Sequence, residues 1–250
     1  MLKPPAEREQ LRFEISGFCR QLMLSRQVVT LCEQDATPRQ EEFLHRVLSE
    51  EIAARERSRR ARLMNRAHFP VLKSLEGYEF GCVRLPSSFP QKELISCRFI
   101  QEKKNLVLYG PVGIGKTHLA IALGVKACEM GLKVRFHTVT ELVFKLSEAR
   151  RAGTLERLVR DLAQQDLLIL DEWGYVPVDK DGSQLLFRIV ADSYESKSLI
   201  LTTNLEFSKW GGIFTDEQMA AAMIDRLIHH GHLLMFEGQS YRMTHALMRN

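Results

Sequence analysis

The spacing of hydrophobic positions changes character about a quarter of the way along the chain. Up to about residue 66 it has a helical period and only one glycine, Gly17. A first amphipathic stretch runs near Glu7 to Met23. A second helix is predicted to start at Thr37-Pro38-Arg39-Gln40, with Thr37 as N-cap, Pro38 in the first turn and Gln40 completing a capping box. Phe43, Leu44, Val47, Leu48 and Ile52 then recur three or four apart, which predicts one buried face. This helix is expected to reach about Arg66 and to stop before Phe69-Pro70.

Between Phe69 and Cys97 the prolines at 70, 86 and 90 and the glycines at 77 and 81 predict a linker and entry loop. Beyond Asn105 short apolar runs alternate with helical patterns. Strands are predicted at Leu106–Tyr109, Lys133–Thr138, Asp166–Leu170 and Leu199–Thr203. Helices are predicted over Lys116–Met130 (with Gly131 as the stop), in two pieces over Val139–Gln165 broken at Gly153, and over Leu185–Tyr194. The alternation predicts an α/β fold with a parallel sheet flanked by helices, at 67–250, preceded by a small all-helical domain at 1–66.

Composition narrows the class. With 45% hydrophobic and 26% charged residues the chain reads as globular rather than disordered. No apolar run approaches the roughly 20 residues of a membrane span, and the first residues lack the apolar core of a signal peptide, so a cytoplasmic protein is expected. Its five cysteines are scattered and form no C-x-x-C pair, which argues for incidental thiols. A net charge of +4 decides little until the charges are placed.

The chemistry concentrates at strand ends. Gly110-Pro111-Val112-Gly113-Ile114-Gly115-Lys116-Thr117 fits G-x-x-x-x-G-K-[ST] between a predicted strand and a predicted helix. Glycines let the backbone N–H groups curl toward phosphate oxygens, and a helix N-terminus adds positive potential. Lys116 is expected at the β- and γ-phosphates of ATP and Thr117 on Mg²⁺, with His118 next in the binding set. Strand 166–170 ends in Asp171-Glu172: Asp171 is expected to hold Mg²⁺, and Glu172 to polarise the attacking water. Strand 199–203 ends in Asn204, which either bonds the water or γ-phosphate or caps the following helix. His229, His230 and His232 have no acidic or cysteine partner nearby, so packing or interface roles are expected for them.

The set Gly110–Thr117, Asp171-Glu172 and Asn204 resembles the AAA+ ATPases, with Asn204 in the sensor 1 position. Closer still, GPVGIGKTHLAIALGVKA at 110–127, LLILDEWGYVP at 167–177, LILTTNLEFSKWG at 199–211 and DRLIHHGH at 225–232 resemble the IstB-type transposition helper ATPases. The linker from Phe69-Pro70 and Ser240-Tyr241-Arg242 fit the same family, which is similar to the DnaC-type helicase loaders. Trp173 and Glu206 depart from its usual Leu and Pro. The resemblance implies an arginine finger at Arg226 reaching a neighbouring subunit's γ-phosphate, a homo-oligomer, a transposase partner, and no C-terminal helical lid. It also places Tyr78 or Phe80 near the adenine.

Two basic surfaces are candidates for duplex DNA. Arg55, Arg59, Arg62 and Arg66 are spaced to fall within about 60° on a helix, which suits a run of phosphates or an ordinary solvated face. Lys145, Arg150, Arg151, Arg157 and Arg160 lie on the helices between the second and third strands, a region that resembles the DNA-facing insertion of helicase-loader relatives. No base-reading motif is present, so binding is expected to be sequence-independent. The function read from these features is a DNA-binding ATPase that helps a transposase. A replicative helicase loader and a nucleotide-gated DNA-binding protein with negligible turnover are the alternatives.

Overall fold

The structure, a computed structural model, describes residues 5–175, 179–214 and 216–244. Val176 and Pro177 of the 167–177 block and the side chain of Arg242 lie outside the described residues. The chain divides into two compact units, 1–62 and 63–250, so the division falls four residues earlier than expected and inside a helix.

The first unit holds α1 (Pro5–Gln21), α2 (Arg26–Asp35) and most of α3 (Pro38–Ala67). Its small core is Ile15, Cys19, Leu22, Cys32 and Leu48, with Leu44 and Ile52 packed at its side. Phe43 and Val47 correct the expectation of one buried face, being 59% and 45% exposed. They sit a helical step to the side of the Leu44–Leu48–Ile52 stripe, and two short helices cover only that stripe. The stripe begins with Glu41, which is fully buried and accepts hydrogen bonds from the guanidinium groups of both Arg8 and Arg12. These bonds, Arg8's first, hold the Glu41 carboxyl below its ordinary range. At the start of α3 half of the capping box forms: Gln40 Oε1 accepts from the Thr37 backbone N–H at 2.8 Å. The Thr37 hydroxyl also donates to that oxygen, at 2.8 Å. Helix α2 was not expected, since its ten residues give too short a periodic signal.

The second unit is built on β1 (Val83–Arg84), β2 (Asn105–Tyr109), β3 (Val134–Thr138), β4 (Leu167–Trp173), β5 (Ser198–Thr203) and β6 (Gly231–Phe236). Its helices are α4 (Gln91–Ser96), α5 (Arg98–Gln101), α6 (Lys116–Glu129), α7 (Val139–Arg151), α8 (Leu155–Ala163), α9 (Lys180–Ser193), α10 (Glu217–His229) and α11 (Tyr241–Thr244). The sheet order is β1-β6-β2-β5-β4-β3, parallel except for β1, which runs antiparallel to β6. Alternate strand residues serve two cores. Leu106, Leu108, Leu167, Ile169 and Ile200 pack on the face with α6, and Leu168, Leu170, Leu199 and Leu201 on the face with α7, α9 and α10.

Three features depart from the sequence reading. The expected linker at 69–97 contains α4 and β1. Helix α9 starts at Lys180, not Leu185, because Asp179 caps it by accepting from the Gly182 N–H at 2.8 Å. Strand β6 had no counterpart, yet it lies beside β2, which leads into the glycine-rich loop Gly110–Gly115. Among the described residues only the four-residue α11 follows β6, and none forms a helical lid.

Candidate functional site

The carboxyl ends of β2, β4 and β5 lie side by side, since β2 pairs with β5 and β5 with β4. The loop from Gly110 to Gly115 leaves β2 and enters α6. Gly110 has φ +152°, and a Cβ there would lie 2.4 Å from the Phe236 carbonyl oxygen at the end of β6. Gly115, at φ +103°, is the residue before the first turn of α6. Both positions therefore exclude a side chain, one by close approach and the other by conformation. On the far side, the Tyr241 N–H donates to the Gly113 carbonyl at 3.1 Å. The Lys116 ammonium donates to the carbonyls of Gly110 and Pro111, at 2.7 and 2.6 Å, so it lies across the mouth of the loop.

Thr117, in the first turn of α6, donates through Oγ1 to Asp171 Oδ1 at 2.9 Å. The structure thus brings together the two side chains expected to share a metal. Asp171 is 4% exposed at the end of β4. A hydroxyl and a carboxylate are hard oxygen donors, and Mg²⁺ takes one or two protein oxygens plus phosphate and water, so this pair fits it. Among the described residues no group of three or more His, Cys, Asp or Glu gathers as a metal site.

Glu172 is exposed beside the buried Asp171 and has φ +61°. Its backbone N–H donates to the Thr202 hydroxyl at 3.0 Å, and the same hydroxyl donates to Asp171 Oδ1. Sequence reasoning passed over Thr202. The signal was a polar pair, Thr202-Thr203, directly after the apolar run Leu199–Leu201. Thr203 Oγ1 donates to the Trp173 carbonyl at 2.9 Å and accepts from the Leu205 N–H at 3.1 Å. The turn after β5 is therefore held by Thr203, while Asn204 is exposed at the strand tip and Glu206 precedes the next helical turn. Trp173 is fully buried against Trp210 and Phe214, so this departure from the family pattern serves the core.

Other expected residues lie around this centre. His118 Nε2 meets the Ser74 carbonyl at 3.0 Å, and its ring lies 5.2 Å from that of Tyr78. The Tyr78 hydroxyl donates to the Gly115 carbonyl at 3.4 Å, and burial pushes its pKa up. Tyr78 also packs edge-on against Phe80, with 4.9 Å between ring centres. Arg226, half-buried on α10, donates through Nη1 to the Ala222 carbonyl at 2.9 Å and lies over the Phe187 ring. The nearby histidines are all engaged. His229 Nδ1 meets the Tyr194 hydroxyl at 2.9 Å, His230 meets the Glu102 carbonyl at 3.3 Å, and His232 stacks on Phe89 at 4.0 Å.

The candidate basic residues lie at or near the surface, some of them in ion pairs. Arg55 is bound to Glu51 at 2.7 Å and Lys145 to Glu141 at 2.6 Å, while Arg150 is paired with Asp181. Arg59, Arg62 and Arg66 on α3 are exposed, as are Arg151, Arg157 and Arg160 on and beside α8.

Residues 21–248 match the IstB-like ATP binding protein family. The chain is 38% identical over 222 residues to the ATP-binding protein of insertion sequence IS21 from Pseudomonas aeruginosa, covering 88% of this chain and 84% of that one. It is 37% identical over 202 residues to the IS5376 counterpart from Geobacillus stearothermophilus, covering 81% and 80%. Among solved structures, the DnaC helicase loader is similar with TM-score 0.52 and 21% identity, over 70% of this chain and 99% of that one. AMPPCP-bound DnaA from Aquifex aeolicus is similar with TM-score 0.54 and 24% identity, over 68% and 51%. These two likenesses show a shared fold.

Proposed function

The chain belongs to the IstB-like ATP-binding family, and on that premise we propose that it is a DNA-dependent ATPase that helps a transposase. The observation that carries the reading is the 2.9 Å contact between Thr117 and Asp171 beneath the loop 110–115, with Glu172 turned out beside it. In this reading the loop N–H groups and Lys116 hold the phosphates of ATP. Thr117 and Asp171 hold Mg²⁺, which supplies Lewis-acid charge stabilisation at the phosphoryl oxygens. Glu172 orients and deprotonates the attacking water, and Asn204 at the next strand tip steadies it. Arg226 leaves Phe187 and reaches the γ-phosphate bound by an adjacent subunit, so turnover requires an oligomer.

Duplex DNA is the proposed scaffold for that oligomer. The exposed arginines of α3 and the α7–α8 pair supply sequence-independent phosphate contacts. The insertion-sequence relatives support a transposase as the protein partner.

The test is phosphate release with and without duplex DNA, for wild type and Arg226→Ala. DNA-stimulated turnover that disappears in the variant supports the reading. Turnover indifferent to both would leave an ATPase without the assembly mechanism. Nucleotide binding with no turnover under any condition would turn the reading into a nucleotide-gated binding protein.

A further inference from the structure

The two acidic residues at the end of β4 sit in a break of the sheet register. Leu170 pairs with Leu201 and Trp173 with Thr203, so Asp171 and Glu172 together face the single residue Thr202. This is a β-bulge in a parallel pair, where bulges are rare, and bulges re-aim side chains. Regular alternation would send Asp171 and Glu172 to opposite faces of a covered sheet. The extra residue instead leaves Asp171 and Trp173 buried and turns Glu172 out to solvent between them. The turn is made at Glu172 itself, whose φ of +61° is one that L side chains rarely adopt.

We propose that Thr202 is the positioning residue for both carboxylates, its one hydroxyl fixing the Asp171 side chain and the Glu172 backbone at the bulge. A hydroxyl has one proton and two acceptor lone pairs. Here the proton goes to Asp171 Oδ1 and a lone pair receives the Glu172 N–H at 3.0 Å. Thr202 is 2% exposed, so the protein itself must provide these bonds. The inference rests on the proposed function in one respect: there the Thr117 oxygen is given to the metal. Thr202 is then the hydroxyl donor left on Asp171 Oδ1. One residue thereby couples the aim of the metal-binding group to the aim of the water-activating group.

The test uses Thr202→Val, which keeps the branched shape and removes the hydroxyl, and Thr202→Ser, which keeps the hydroxyl and removes the methyl. Three quantities are measured on the full chain: fluorescent-nucleotide affinity in EDTA, the Mg²⁺ concentration for half-maximal tight binding, and single-turnover phosphate release. For Thr202→Val the metal-free affinity stays within about threefold, while the Mg²⁺ requirement rises and the hydrolytic rate falls, each by about 10–100-fold. Thr202→Ser restores both. Wild-type Mg²⁺ dependence and turnover in Thr202→Val would overturn the proposal. So would a serine variant as defective as the valine one, or a loss of metal-free affinity accompanied by early thermal unfolding, because either marks a packing role. If wild type binds nucleotide but releases no phosphate, the ATPase reading fails on its own. The Mg²⁺ requirement of the valine variant then decides for or against Thr202.

Discussion

The guanidinium carbon of Arg226 lies 5.2 Å from the centre of the Phe187 ring, so the proposed finger rests on its own subunit's α9. Its hydrogen bond to the Ala222 carbonyl lies within its own helix α10. A cation–π contact of this kind is worth about 0.5–1 kcal/mol and the hydrogen bond about 1 kcal/mol. Charge-assisted, forked bonds to phosphate are stronger, so the resting contact is readily exchanged.

Phe187→Leu is therefore expected to leave DNA-stimulated phosphate release within about threefold of wild type. Arg226→Lys is expected to lower it at least about tenfold, because an ammonium cannot make the planar fork. Steady-state phosphate release measures both. Full activity in the lysine variant would remove Arg226 from the chemistry.

Glu172→Gln keeps the side-chain volume and the backbone bond to Thr202 but cannot take a proton. Nucleotide affinity is expected within about threefold of wild type, with hydrolysis down at least about 100-fold. DNA-bound assemblies should then persist in sedimentation runs where wild type disperses. Ordinary dispersal would argue against Glu172 as the base.

Gly110→Ala places a methyl group 2.4 Å from the Phe236 carbonyl oxygen and 2.7 Å from Phe236 Cβ. The first neighbour is backbone and the second is held in β6, so neither can swing away. The strain is expected to cost about 2–4 kcal/mol and to weaken nucleotide binding through the displaced loop. Thermal unfolding and nucleotide titration check it. An alanine variant indistinguishable from wild type in both would mean that β6 does not confine the loop.

His137 of β3 is 3% exposed, and its Nδ1 has no hydrogen-bond partner among the described residues. Burial, aided by the cations of Lys145 and Arg135 and partly opposed by Glu141, lowers its pKa to about 4. The folded value lies below the ordinary one near 6.5, so the fold holds the imidazole neutral while the unfolded chain protonates it. The associated stability is present above about pH 6.5 and is lost as pH falls toward 4. Between pH 7 and pH 4.5 wild type should lose about 2 kcal/mol more than His137→Leu. Urea unfolding at the two pH values tests this. Parallel losses would place the sensitivity elsewhere.

Much of the candidate site was legible because its requirements are local. The loop Gly110–Thr117 is defined by backbone conformations and side chains within eight residues, and its strand and helix carry their own periodicity. The same holds for the apolar run that ends in Asp171-Glu172. The α/β class followed from the alternation of such segments, and the basic helices from the spacing of their arginines.

What the sequence could not determine depends on residues far apart in the chain. Strand β6 is short and half-exposed along much of its length, so its apolar run gave no distinct signal, yet its Phe236 confines Gly110. Phe43 and Val47 share a helical period with Leu44 and Leu48, and only the placement of α1 and α2 selects which of these is covered. The bulge at Asp171-Glu172 is a mismatch of register between β4 and β5, and no property of either strand alone announces it. Composition and spacing marked the acids Asp171-Glu172 and the glycine-rich loop Gly110–Thr117 as candidates. Tertiary pairing alone set Thr202 against the Asp171 carboxylate and the Glu172 backbone N–H, because a hydrogen bond between strands exists only once their register is fixed.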